Sequence, residues 1–338
     1  MSTGELRPIR VYSTCPPSGD TPPDRYHVRV KEVARWSDAR GCRGILVYTD
    51  NGLVDPWLMA QRIIEETSQL TPLVAVQPAY MHPYAVAKLV TTLAHIYGRG
   101  VDLNMLAGGF RNDLLALGDT TSHDDRYERT VEYTKIVQAL LRGDEPVTLG
   151  GSHYRVDHLK LRPALPPELY PNFLISGSSA PGQRAAKEIG AVAVRYPMPA
   201  EEYQAAPAPE LPAGIRVGIV ARASSEEAWK VARERFPEDR RGQVAHRLAM
   251  KVSDSTWHKQ LSEVPDSADE ASPYWLVPFK NYKTFCPYLV GNYDTVAAEI
   301  GLYAEAGFRT LITDVPVDDE DLLHMSTVLD RAGCCFAR

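Results

Sequence analysis

Three short stretches combine residue types able to hold a flat ligand and an anion. Asn104-Met-Leu-Ala-Gly-Gly109 follows the apolar run Val101–Leu103 and sets an amide beside a glycine pair. Backbone without Cβ can lie close against a planar ligand, and an amide can match donors and acceptors along its edge. His123-Asp-Asp-Arg126-Tyr127-Glu128 opens a helical pattern with an imidazole, a guanidinium and a phenol. Arg126 or Tyr127 there can hold a phosphate or a polyol chain; alternatively His123 caps the helix and Tyr127 packs it. Ile175-Ser-Gly-Ser178-Ser179 ends a second apolar run and starts another helix. Free N–H groups and hydroxyls at a helix start suit a phosphate, although Ser178 and Ser179 could also serve only as caps.

Such residues need a scaffold that brings strand ends together. Short apolar runs recur at Ile9–Tyr12, Ile45–Tyr48, Leu73–Val76, Val101–Leu103, Phe173–Ile175, Ala191–Val194, Val217–Val220 and Thr310–Ile312. They read as buried parallel strands. Helical patterns alternate with them: Tyr26–Ala39, Pro56–Leu70, Pro83–Tyr97, Arg126–Leu141, Pro181–Ile189, Ser225–Phe236, Tyr293–Ala306 and Glu320–Arg331. Proline at the first helical position after Asp55 and after His82, and serine at 224, supply start signals. Eight β–α pairs predict an α/β fold, a (β/α)8 TIM barrel in a single domain over 1–338. Residues 143–172 and 237–292 are too long for simple connections. The second carries Trp257, Tyr274, Trp275, Phe279, Tyr282, Phe285 and Tyr288. It is expected to be an ordered lid inserted before the last strand, helical around Val244–Val252, or else an oligomerisation insert.

Net charge is −6, from 37 basic and 43 acidic residues, with no basic stripe of the kind that marks nucleic-acid binding. Arg240-Arg241 and Arg233/Arg235 cluster locally, interleaved with Glu234, Glu238 and Asp239, as on a solvated helix face. No apolar run long enough to span a membrane and no signal-peptide pattern are seen, so a cytoplasmic location is expected. Cys15, Cys42, Cys286, Cys334 and Cys335 show no metal-ligand spacing, and reduced thiols are expected, with no metal site.

The ordered set of motifs resembles the bacterial luciferase-like flavin monooxygenases, closest to their alkanesulfonate monooxygenase branch. The matches are Gly44-Ile-Leu-Val-Tyr48 with Thr49 and Asp55-Pro-Trp57, Leu73-Val-Ala-Val-Gln-Pro78, and Asn104 with Gly108-Gly109. His123-x-x-Arg126-Tyr127-Glu128, Gly151-x-His153-Tyr154 and Ser176-Gly-Ser-Ser179 follow, then Glu226-Glu-Ala-Trp229 and Ala306-Gly-Phe308. The resemblance implies a (β/α)8 barrel whose members take reduced FMN (FMNH2) from a separate NAD(P)H-dependent flavin reductase. With O2 as co-substrate they transfer one oxygen atom through a C4a-peroxyflavin. It also implies a homodimer or homotetramer. A related branch uses a deazaflavin for hydride transfer, and a non-catalytic flavin-binding member is a further alternative.

By the same resemblance, Gln77 belongs to the segment packed on the flavin ring, sometimes through a non-proline cis peptide. Asn104 meets the pyrimidine edge, and His123, Arg126, Tyr127, Ser178 and Ser179 serve the ribityl chain and phosphate. Arg195, Arg216 and Lys283 are candidate catalytic or substrate-binding cations, with Arg111 and Lys280 as further anion contacts. A plain strand reading places Arg216 near the barrel bottom, whereas the resemblance places it in the pocket. The chain departs from the sulfonate-cleaving branch at Leu53, Gly218 and Val315, where those relatives carry cysteine, histidine and tyrosine. An alkanesulfonate substrate is therefore not expected. A small organic acid or a carrier-protein-bound acid is expected instead.

Overall fold

A computed structural model describes residues 6–204, 209–252, 256–264 and 272–337. Its strands in chain order are β1 (Arg7–Thr14), β2 (Gly44–Val47), β3 (Thr71–Val76), β4 (Asp102–Met105), β5 (Val147–Gly150), β6 (Arg155–Leu159) and β7 (Phe173–Ser176). They continue as β8 (Val192–Arg195), β9 (Ala213–Arg216), β10 (Gly218–Arg222), β11 (Tyr274–Trp275), β12 (Tyr288–Asn292), β13 (Phe308–Ile312) and β14 (Cys334–Phe336). Parallel pairing runs β1-β2-β3-β4-β7-β8-β9-β13, and β13 returns to β1 at Arg10↔Thr310, closing an eight-stranded barrel. β14 pairs with the start of β1 outside that ring.

The barrel interior is filled by Tyr12, Leu46, Leu73, Leu174, Val192, Val194 and Ile312, alternate inward residues of several strands. At its lower end Asp102, 1% exposed, accepts hydrogen bonds from the Tyr12 hydroxyl at 2.7 Å and the Asn172 N–H at 2.8 Å. These bonds satisfy a carboxylate that would otherwise be costly to bury. The outer helices start where the caps predict. Asp55 accepts from the N–H groups of Trp57 and Leu58, His82 from Tyr84, and Ser224 from Glu227.

The seventh barrel strand is not Val217–Val220 but β9, Ala213–Arg216. Val217–Val220 instead runs into β10, which pairs with β12 and, through it, β11 in a separate three-stranded sheet. A pair of apolar runs meets end to end there, and the more hydrophobic one is not the barrel strand. The 143–172 connection contains the antiparallel hairpin β5–β6. Within 237–292 the described residues form helices Arg240–Val252, Thr256–Glu263 and Val277–Lys280 as well as β11 and β12. Residues 253–255 and 265–271 of that segment lie outside the described set.

Candidate active site

The C-terminal ends of the barrel strands open into a cavity of about 1180 Å³, counting its mouth. In a closed barrel this is the end where loops from several strands converge. Gln77 follows β3, Asn104 sits within β4, Ser176 ends β7 with Gly177 to Ser179 after it, and Arg216 ends β9; all line the cavity. His123 and Tyr127 reach it from the start of the helix His123–Arg142.

The Ser176–Ser179 turn is built for close approach. A Cβ on Gly177 would sit 2.4 Å from the Tyr127 hydroxyl, so only glycine admits that ring against the turn. Ser179 caps the helix Ala180–Ile189 by accepting from the Gly182 N–H at 3.3 Å. Ser178 Oγ is buried without a hydrogen-bond partner among the described residues. Buried hydroxyls are rarely left so, and an orphan beside a helix start points to an acceptor that completes it. Asn104, 4% exposed, accepts from Ser176 Oγ at 3.1 Å, which fixes the orientation of its amide.

Arg216 is 8% exposed and pairs with no carboxylate among the described residues. Its guanidinium lies over the Tyr48 ring at 5.5 Å and over the Tyr196 ring at 6.0 Å. Nη1 lies 3.4 Å from the Tyr196 hydroxyl, while Nε has no partner. Burial works against its charge, but its neighbours, the Asp314 carboxylate among them, outweigh that and raise its pKa above the ordinary arginine value. The barrel mouth thus holds a permanent cation with unused donors, a ready site for an anionic group. Burial also pushes the hydroxyl pKa values of Tyr48 and Tyr196 upward, so both stay neutral donors.

The 237–292 segment supplies part of the wall. Trp257 stacks on Tyr196 with centroids 3.6 Å apart, and Phe285 packs 6.1 Å from Phe110. All four rings line the cavity. Tyr196 and Asp50 are lining residues outside every motif, and Tyr48 stands in a motif without having been given a site role. Their signal was position alone, within a few residues of a strand's C-terminal end.

Three sequence candidates lie elsewhere. Arg195 extends toward Gln183, at 3.4 Å, and over the Phe308 ring at 5.6 Å, outside the cavity lining. Lys283 makes a 2.7 Å ion pair with Asp239 at the surface. Arg126 is buried, with Nη1 donating to the Thr121 carbonyl at 3.1 Å, and supports the loop ahead of His123 rather than the cavity wall. Arg111 is exposed, and Lys280 donates to the Val264 carbonyl. The single cis bond among the described residues is Arg162–Pro163, so the Gln77 segment is trans throughout. At Gly218 an added Cβ would fall 2.3 Å from the Tyr288 ring, so a histidine has no space there. Leu53 and Val315 do not line the cavity. No group of three or more metal-ligating side chains occurs among the described residues, and the cysteines are unpaired. No described helix is long and apolar enough to cross a membrane.

A closed parallel barrel with its cavity at the C-terminal mouth defines the class, and comparison with known proteins identifies the family. The luciferase-like monooxygenase family matches residues 12–310, and the chain belongs to it. It is 32% identical over 307 residues to 4-(gamma-L-glutamylamino)butanoyl-[BtrI acyl-carrier protein] monooxygenase BtrO of Niallia circulans, covering 88% of this chain and 89% of that protein. The fold also resembles a long-chain alkane monooxygenase, with TM-score 0.75 and 15% identity, over 98% of this chain and 93% of the other. An F420-dependent secondary alcohol dehydrogenase gives TM-score 0.66 and 14% identity, over 96% of this chain and 99% of the other. The protein is an enzyme of the flavin-dependent monooxygenase type.

Proposed function

We propose that this chain is the oxygenating component of a two-component system. It takes reduced FMN from a separate NAD(P)H-dependent reductase and, with O2, oxygenates a small or carrier-protein-bound acyl substrate. The observation that carries this reading is the orphaned Ser178 hydroxyl beside a capped helix start, in one cavity with Asn104, Gln77 and Arg216. That donor set fits FMN: a phosphate against Ser178, Ser179 and the helix N–H groups, and a pyrimidine edge against the Asn104 amide. Reduced FMN would supply the electrons that let one oxygen atom enter the substrate while the other leaves as water.

Tyr127 and His123 would flank the ribityl chain, with Arg126 holding the preceding loop. Arg216 would orient an acyl carbonyl or carboxylate through its unused donors. Trp257 and Phe285 would close the mouth and exclude water, making the 237–292 segment a lid. Arg195 and Lys283, outside the cavity, would act on the substrate only if the lid rearranges. The carrier-bound substrate named for the relative from Niallia circulans, at 32% identity, supports the acyl class. Gly218 and the positions of Leu53 and Val315 argue against an alkanesulfonate. A cytoplasmic homodimer or homotetramer completes the proposal.

Anaerobic titration with photoreduced FMN, followed by mixing with oxygenated buffer, tests it. Tight binding and a transient absorbance band absent from free flavin are expected. Weak FMN binding together with tight binding of a reduced deazaflavin would move the protein to the hydride-transferring branch. FMN held equally well in both oxidation states, with no oxygen consumption, would make it a non-catalytic flavin binder.

A further inference from the structure

The helix Arg240–Val252 carries an unusual outer face. Arg240, Arg241, Val244, Arg247 and Leu248 are all exposed, at spacings that align them on one side. Val244 is 47% and Leu248 58% exposed. The three arginines form no ion pair with any carboxylate among the described residues. Asp239, at the start of the helix, accepts from the Arg241 and Gly242 N–H groups and pairs with Lys283 rather than with any of the three. This cationic stripe stands on a chain whose net charge is −6.

The inner face ties the helix to the cavity wall. Gly242 rests on the backbone of Asn281, where a Cβ would lie 2.0 Å from the carbonyl oxygen. His246, 5% exposed, packs edge-on against Phe279 at 4.7 Å. Phe279 is 6.1 Å from Trp257, which stacks on Tyr196 in the cavity. A partner seated on the outer face would therefore sit two side-chain layers from the lid.

We propose that this face docks an acidic carrier protein that delivers the acyl substrate on a flexible tether. The inference rests on the acyl reading above. Arginine is enriched at interfaces, and here three arginines flank two exposed aliphatic side chains on one helix face. Opposite charge on the partner would steer its approach and set the register, while Val244 and Leu248 supply the apolar contact. Another copy of this chain, itself acidic, is the competing occupant.

The test compares the wild-type protein with an Arg240→Glu/Arg247→Glu double variant and with Leu248→Asp, all on exposed positions. The probe is a purified acidic acyl carrier protein bearing a short-chain acyl phosphopantetheine thioester, alongside the same thioester on free pantetheine. Salt-sensitive binding of the carrier by the wild type is expected. The charge-reversed variant should bind it at least about tenfold more weakly and lose kcat/KM with the carrier-bound thioester alone. Unchanged reduced-FMN affinity in both variants keeps this test separate from the flavin reading. Equal carrier affinity in all three proteins overturns the docking inference, as does a wild-type dimer that the same substitutions split into monomers. Loss of FMN binding by the wild type would instead overturn the proposed function.

Discussion

Tyr196 and Trp257 stack face to face, their centroids 3.6 Å apart and their planes 16° from parallel. One ring belongs to the loop after β8 and the other to the inserted segment, so the contact joins the barrel to its cover. The Tyr196 hydroxyl also lies 3.4 Å from Arg216. Replacing Trp257 by Ala should loosen the cover without touching the flavin phosphate. The expected result is severalfold more hydrogen peroxide per NADH in a reductase-coupled assay, with reduced-FMN affinity nearly unchanged. Coupling as tight as wild type would deny the segment a role in excluding water.

Ser178 and Ser179 are neighbours with different duties, and single substitutions separate them. Ser178→Ala should weaken reduced FMN by about 1–3 kcal/mol, roughly 5- to 150-fold in Kd, with little change in melting temperature. Ser179→Ala also removes a helix cap and should cost about 1 kcal/mol of folding stability. Fluorescence titration and thermal unfolding of each variant check both statements. Unaltered FMN affinity in Ser178→Ala would remove the phosphate from this turn.

Arg216→Met should leave flavin binding in place and lower kcat/KM by about 1.5–3 kcal/mol, roughly 10- to 150-fold, through loss of hydrogen bonds from a charged group. Arg216→Lys should recover only part of this, since a point charge lacks the planar fork. Steady-state kinetics with an anionic and a neutral acyl substrate provide the check. A loss shared by both, with weakened FMN, would assign Arg216 to the flavin instead.

Asp119 stabilises the loop ahead of His123. Burial raises its pKa, but hydrogen bonds from Arg129 and Thr121 more than reverse this and hold it at about 2, below the ordinary 3.8. The ionised form is the one favoured in the folded state. Its contribution is therefore complete above pH about 4 and is lost as pH falls toward about 2. Asp119→Asn should lower stability at neutral pH and flatten the decline of stability between those values in acid unfolding curves. An acid limb as steep as wild type would contradict the assignment.

Most of the barrel was legible because its strands are short, apolar and separated by well-capped helices. The seventh was not. Ala213-Gly-Ile-Arg216 ends in a charge, whereas Val217-Gly-Ile-Val220 is apolar throughout, has the pattern of a buried strand and satisfies it in another sheet. This displacement also decides Arg216, which ends the true strand at the mouth instead of starting a false one at the bottom. The glycine and serine motifs located the cavity, since their types report local backbone geometry. Arg195 and Lys283 show the limit: a strand end or an insert fixes where a long cation begins, and the choice between Gln183, Asp239 and the cavity is made by tertiary neighbours. The hairpin β5–β6 was missed because half-exposed strands of four and five residues leave only a faint alternation.

The small sheet of β10 and β12 holds both sides of the inserted segment in register, from Gly218↔Tyr288 to Arg222↔Asn292. Of the cavity-lining residues, Asn104 and Ser178 lie outside the stretch so clasped, while Trp257 and Phe285 lie within it. The stretch is thus anchored at both ends by one clasp that stands outside the barrel ring, so a change of sequence or length within it leaves every barrel strand uncut.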